Sequence, residues 1–158
     1  MELLGVSLAL LGVALAAGLA GIGSIIGVGK TGETGSGLVA EDDSQFGNIL
    51  LLSALPGTQA IYGLLVAFLI LLESGALGDG LVEMTWPTGL MLAFASLPVG
   101  LTGLAAGKYQ GHVLASGVQM IAKDKGQVGK VIVLAALVET FSVFGLLVSI
   151  LMITGVQG

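Results

Sequence analysis

Four stretches of this chain, residues 3–29, 44–72, 84–107 and 131–158, contain among them a single side chain that is charged at neutral pH. Each is longer than the roughly 20 residues that carry an α-helix across the hydrocarbon core of a bilayer. A soluble domain of 158 residues cannot bury four helices that are apolar on every face. The expected fold is an all-α membrane protein with four transmembrane helices. Composition agrees, since 55% of residues are hydrophobic and 9% charged, well short of the charge a soluble surface carries. Met1-Glu2 runs straight into apolar residues with no basic segment, so the first stretch is expected to be a retained span. With no cysteine, neither a disulfide framework nor thiolate chemistry is available. A net charge of −5 argues against nucleic acid as a partner.

The lysines suggest an orientation. Lys30, Lys108, Lys123, Lys125 and Lys130 lie at or near the turns between helices 1 and 2 and between helices 3 and 4. Glu2, Glu73, Asp79 and Glu83 mark the opposite side without a lysine. The positive-inside rule then turns both hairpin turns to the cytoplasm and puts the termini and the central loop outside. Trp86 is placed as an outer-interface anchor. Glu41-Asp42-Asp43 caps the first turn, and His112 reads as an interface residue beside Lys108.

Shifted by 82 positions, the chain matches itself without a gap. Residues 47–72 lie over 129–154 with 10 identities in 26. Upstream, Gly18, Gly21, Gly29, Gly35, Asp42 and Gln45 lie over Gly100, Gly103, Gly111, Gly117, Asp124 and Gln127. The repeating unit is a helical hairpin, so one membrane domain is expected to comprise hairpins at residues 1–75 and 83–158. Two spans per unit give both hairpins the same orientation. The glycines of helices 1 and 3 point to a closely packed inner layer, with the bulkier helices 2 and 4 outside it.

Two phosphate-binding patterns fail on inspection. GVGKTG (27–32) fits G-x-G-x-x-G, but it follows a membrane helix and not a strand. A P-loop needs glycine where Ser24 stands. Nucleotide binding by this chain is therefore not expected.

The one charged side chain within the four stretches is Glu139. A carboxylate at bilayer depth costs about 3 kcal/mol on insertion scales, so it must be paired, neutralised or used. Under the repeat it falls over Gly57, giving one acidic site for two hairpins. Leu55, Thr58, Gln59 and Tyr62 follow i, i+3, i+4, i+7 spacing and share a helical face. Pro56 removes a backbone N–H within that span. Gln110 and Glu139 lie about 15 residues to either side of the second turn, which places them at one level, roughly 22 Å away. These oxygens suit a hard monovalent cation, with the carboxylate as its counter-charge. A proton site and a purely structural network between helices remain open on the residues alone.

The glycine-rich duplicated hairpins, with LPGTQAIYG in helix 2, YQG in helix 3 and LVETF in helix 4, resemble the membrane rotor proteolipid of V-type ATPases. That proteolipid is subunit K, and the likeness is to the sodium type of bacteria. The resemblance spans nearly the whole chain. It implies copies assembled into a homo-oligomeric ring in the cell membrane, facing a stator subunit with an essential arginine and joined to a central stalk. ATP hydrolysis would take place on other subunits. The resemblance further implies Na⁺ bound at the Leu55 carbonyl, Thr58, Gln59, Gln110 and Glu139, with Tyr62 bonded to the carboxylate. Alternatives are H⁺ as the coupling ion in the same rotor, a self-contained small cation transporter or channel, and a structural proteolipid.

Overall fold

The structure, a computed structural model, describes residues 2–78 and 80–156. Asp79 and the Glu2 side chain, two of the acidic outer markers, lie outside what is described. The described residues form helices joined by turns and one irregular connection at residues 74–78 and 80–85, and contain no strand.

The first span is one helix, α1 (Glu2–Glu41). The second begins with a 3₁₀ turn at Asp43–Gln45 and continues as α2 (Phe46–Ala54). It tightens into another 3₁₀ turn at Leu55–Gly57 and resumes as α3 (Thr58–Glu73). The third is α4 (Trp86–Ala95), broken at Ser96 ahead of Pro98, then α5 (Leu97–Lys123). A 3₁₀ turn at Lys125–Gln127 leads into α6 (Val128–Val156). All four rods are long and apolar enough to cross a membrane.

Both interruptions sit at prolines, which lack the N–H of the helical ladder. At the third span Ser149 on α6 accepts the Val99 N–H at 3.1 Å, steadying the restart of the helix. Gly75 takes a φ of 71° and ends α3 with the left-handed residue that side chains avoid.

Helices 1 and 3 outrun their charge-free stretches, which stop at residues 29 and 107. Lys30 and Lys108 are consequently not turn residues. They lie 11 and 15 residues short of the ends of α1 and α5, leaving Lys123, Lys125 and Lys130 around the second turn. So many glycines would weaken a lone helix by about 1 kcal/mol each. Here they allow contact. A Cβ added to Gly27 or Gly107 would strike the backbone of Gly107 or Gly23, and one on Gly111 would strike Gly27. α1 and α5 therefore run parallel with backbones touching, in a register close to the 82-residue repeat. α3 packs beside α1 and α6 beside α5.

Each hairpin turns on the same motif, Asp-x-x-Gln. Asp42 accepts from the Ser44 N–H at 3.1 Å, and Asp124 from the Gly126 N–H at 2.9 Å. The Gln45 and Gln127 amides each return to the second oxygen of their aspartate. Lys125 then ties the two turns together, 2.6 Å from Asp42 and 3.0 Å from Ser44.

The Lys125 ammonium, with Ser44 next, holds the exposed Asp42 carboxyl well below the usual carboxylate range. The Gln127 amide, with the Gly126 N–H next, lowers Asp124. A depressed folded pKa means the contribution is complete above the unfolded value of about 4 and disappears as pH falls through the lower folded value. Hydrogen-exchange protection of the Ser44 and Gly126 amides, corrected for intrinsic rates, should therefore match at pH 7 and pH ~4 and fall only in stronger acid. D42N and D124N should lose that protection at neutral pH. A loss between pH 6 and 4 in the parent would sink this account.

Candidate ion site

Two apolar clusters divide the bundle along its length. One, around Ala16, Val66, Ile70 and Val99, lies toward the termini. The other, around Leu52, Leu114, Val131 and Ala135, lies toward the turns. The polar residues of the second, third and fourth spans meet between them.

Glu139, on α6, is half-buried. Its Oε1 accepts from the Tyr62 hydroxyl at 2.8 Å and its Oε2 from the Gln110 amide at 3.3 Å. The same Gln110 Nε2 reaches the Ala135 carbonyl at 3.4 Å. Gln110 Oε1 accepts from Gln59 Nε2 at 3.1 Å. That nitrogen also lies 3.4 Å from the Thr58 hydroxyl, which donates to the Leu55 carbonyl at 2.9 Å. A hydrogen-bonded chain thus runs from Tyr62 through Glu139, Gln110, Gln59 and Thr58 to Leu55. All six residues singled out in the sequence stand together, joining α3, α5 and α6. The shared helical face of Leu55 to Tyr62 survives the 3₁₀ turn at Pro56.

One atom in the cluster has no partner. Gln59 is fully buried, its nitrogen is committed, and its Oε1 accepts nothing. An unmatched buried acceptor is destabilising by about 1–3 kcal/mol. The amide that carries the orphan oxygen is bonded through its nitrogen to Gln110 and Thr58, and through them it is linked to the Leu55 carbonyl and the Glu139 carboxylate. The set offers neutral oxygens with one formal negative charge and no nitrogen or sulfur base. It can hold one monovalent cation, or a proton on the carboxyl.

Sequence reasoning missed Ser24. It lies on α1, where it had served only to rule out a P-loop. Its buried hydroxyl donates to the Pro56 carbonyl at 2.7 Å and accepts from the Ala60 N–H at 2.8 Å. It thereby ties α1 to the 3₁₀ turn at Pro56 and to the first turn of α3, holding the segment that presents Leu55 and Thr58. The available signal was the repeat itself. Ser24 and Pro56 lie over Ala106 and Val138, so serine and proline occur in the same hairpin.

His112 stands apart on the exposed face of α5, its ring 6.2 Å from Tyr109, and Lys108 lies 5.8 Å from the Tyr109 ring. Neither joins the cluster.

The sequence matches the family model for the C subunit of ATP synthase twice, over residues 11–70 and 93–152. The two matches are offset by the same 82 residues as the internal repeat. The chain is 41% identical over 149 residues to the V-type sodium ATPase subunit K of Enterococcus hirae, covering 94% of this chain and 92% of that protein. It is 43% identical over 145 residues to the A-type ATP synthase subunit K of Methanocaldococcus jannaschii, covering 92% of this chain and 61% of that protein.

Proposed function

The chain belongs to the ATP synthase C-subunit family as a non-catalytic, ion-translocating rotor proteolipid of a V/A-type ATPase, and we propose that the ion it carries is Na⁺. The ligands in this reading are the Leu55 carbonyl, Thr58, Gln59, Gln110 and Glu139, with Tyr62 holding the carboxylate. The observation that carries it is the unpartnered buried oxygen of Gln59. A proton on Glu139 leaves that oxygen without a partner, whereas a cation among these oxygens satisfies it. The name of the Enterococcus hirae relative supports the same ion.

The mechanism follows from the bilayer. An ionised Glu139 facing hydrocarbon is expensive, so the site turns through lipid only when Na⁺ neutralises it. Next to the arginine of a stator subunit the carboxylate gains a second counter-charge and releases its ion. Copies in a ring repeat the step, driven by ATP hydrolysis on other subunits through a central stalk. The hairpin turns face the cytoplasm in this arrangement.

Modification of Glu139 by a hydrophobic carbodiimide tests the ion. The reagent attacks the protonated carboxyl, so bound Na⁺ blocks it. Labelling of the purified protein should fall with added Na⁺ and not with K⁺ at equal ionic strength. Labelling that follows pH alone assigns the site to H⁺. In the same assay Thr58→Ala and Gln110→Ala should weaken Na⁺ protection by about tenfold, from the loss of a ligand worth ~1–2 kcal/mol. Their pH titration should move less. Equal movement of both would count against direct coordination.

A further inference from the structure

The internal repeat is a template for contact between copies. Within the chain, α5 lies on α1 with Gly107 against Gly23, Gly111 against Gly27, and Gly103 against Ala20. Advancing each partner by one hairpin turns these pairs into Ile25 against Ala105, Gly29 against Tyr109, and Gly21 against Thr102. In each, the first residue lies on α1 of one copy and the second on α5 of the next.

Two surfaces of the chain fit this pairing. Ile25 is 72% exposed on α1. An apolar hollow of about 190 Å³ opens between α5 and α6, lined by Thr102, Ala105, Ala106, Tyr109, Val138 and Phe141. All three α5 residues that the repeat names as partners line it. Gly21 and Gly29 have nothing within 4 Å of an added Cβ, so that face of α1 is uncovered within one copy.

We infer that Ile25 of one copy seats in the hollow between α5 and α6 of the next copy, an inference that rests on the rotor reading above. The contacting surfaces differ, so the contact is head-to-tail and propagates around a ring. It cannot repeat the internal seam atom for atom. A Cβ on Gly107 meets the Gly23 backbone, and Ile25 and Ala105 stand at the corresponding places. The helices must part there and interdigitate by side chains. Inner-helix spacing thus alternates, close within a copy and wider between copies. The ion site has no counterpart at the wider seam. Gln59, Tyr62, Gln110 and Glu139 map there onto Phe141, Phe144, Val28 and Gly57.

The chain has no cysteine, so paired cysteines test the contact directly in the full-length protein in its membrane. On oxidation, Ile25→Cys with Ala105→Cys should shift the monomer band into a ladder of covalent multimers, and either single variant should not. Gly21→Cys with Thr102→Cys should give the same ladder, and it decides the matter if the first pair fails to accumulate. Ile25→Cys with Leu64→Cys, on the opposite layer, should stay monomeric. A ladder from this last pair, or none from the first two, overturns the contact. Native mass separates the two proposals. A large oligomer without the ladder sinks only this contact, whereas a monomeric native protein sinks the rotor reading with it.

Discussion

Glu139→Gln should abolish ion-coupled turnover and leave the assembled protein intact. The amide keeps the shape of the carboxylate and an oxygen to accept from Tyr62, which stands 2.8 Å away. It removes the only charge within the polar cluster. Taking away one partner of a buried charge pair costs about 3–5 kcal/mol, or roughly a hundred- to several-thousandfold in ion affinity. On the mechanism proposed above it also removes the reason for the site to stop at a stator arginine, because a neutral side chain has no ion to exchange. Na⁺-stimulated ATP hydrolysis and Na⁺ uptake by the complete complex should fall to background. Native mass and detergent resistance of the proteolipid oligomer should match the parent. Normal pumping by the variant would defeat the assignment of Glu139 as the carrier.

Gly107→Leu should prevent folding of the hairpin pair. Overpacking a core typically costs about 1–3 kcal/mol, because neighbouring side chains yield. At Gly107 the obstruction is the Gly23 backbone and the Ser24 N, which cannot rotate away. Separating α1 from α5 would also draw Ser24 from Pro56 and Ala60, disturbing the turn beneath Thr58. The expected loss is at or above the top of that range, read as a collapse in folded yield and thermal midpoint. Gly47→Ala is the contrast. Nothing lies within 4 Å of a Cβ there, and alanine in place of a helical glycine should stabilise by about 0.5–1 kcal/mol. If both variants behave alike, backbone contact between α1 and α5 is not what holds the pair.

The spans were legible in the sequence because hydrocarbon imposes a one-dimensional rule. Each stretch must be apolar for the width of the core, and a lysine or glutamate shows where that ends. The rule located the rods and misjudged two of their lengths. Lys30 and Lys108 continue α1 and α5 because helix propagation depends on backbone bonding and packing, to which charge is indifferent. The repeat was legible down to its turns. Asp42 and Gln45 reappear as Asp124 and Gln127 with the same hydrogen bonds. The tie between the turns was not legible. Lys125 lies over Asp43 in the alignment and pairs with Asp42, a contact that depends on how the hairpins lie side by side.

The polar cluster divides in the same way. Helical period was enough to put Leu55, Thr58, Gln59 and Tyr62 on one face, and distance from a turn to put Gln110 and Glu139 at one level. They did not say which atoms meet, because rotation of each helix about its axis is set by its neighbours. By itself the sequence determined the number of spans, their duplication, and the single carboxylate at their middle, since these follow from hydropathy and period along one chain. Only the tertiary structure decided that Ser24 braces the backbone around the proline break, that Tyr62 and Gln110 divide the two oxygens of Glu139, and that the Gln59 oxygen is left over. Those outcomes turn on the facing of helices distant in sequence, where an ångström decides whether a bond forms.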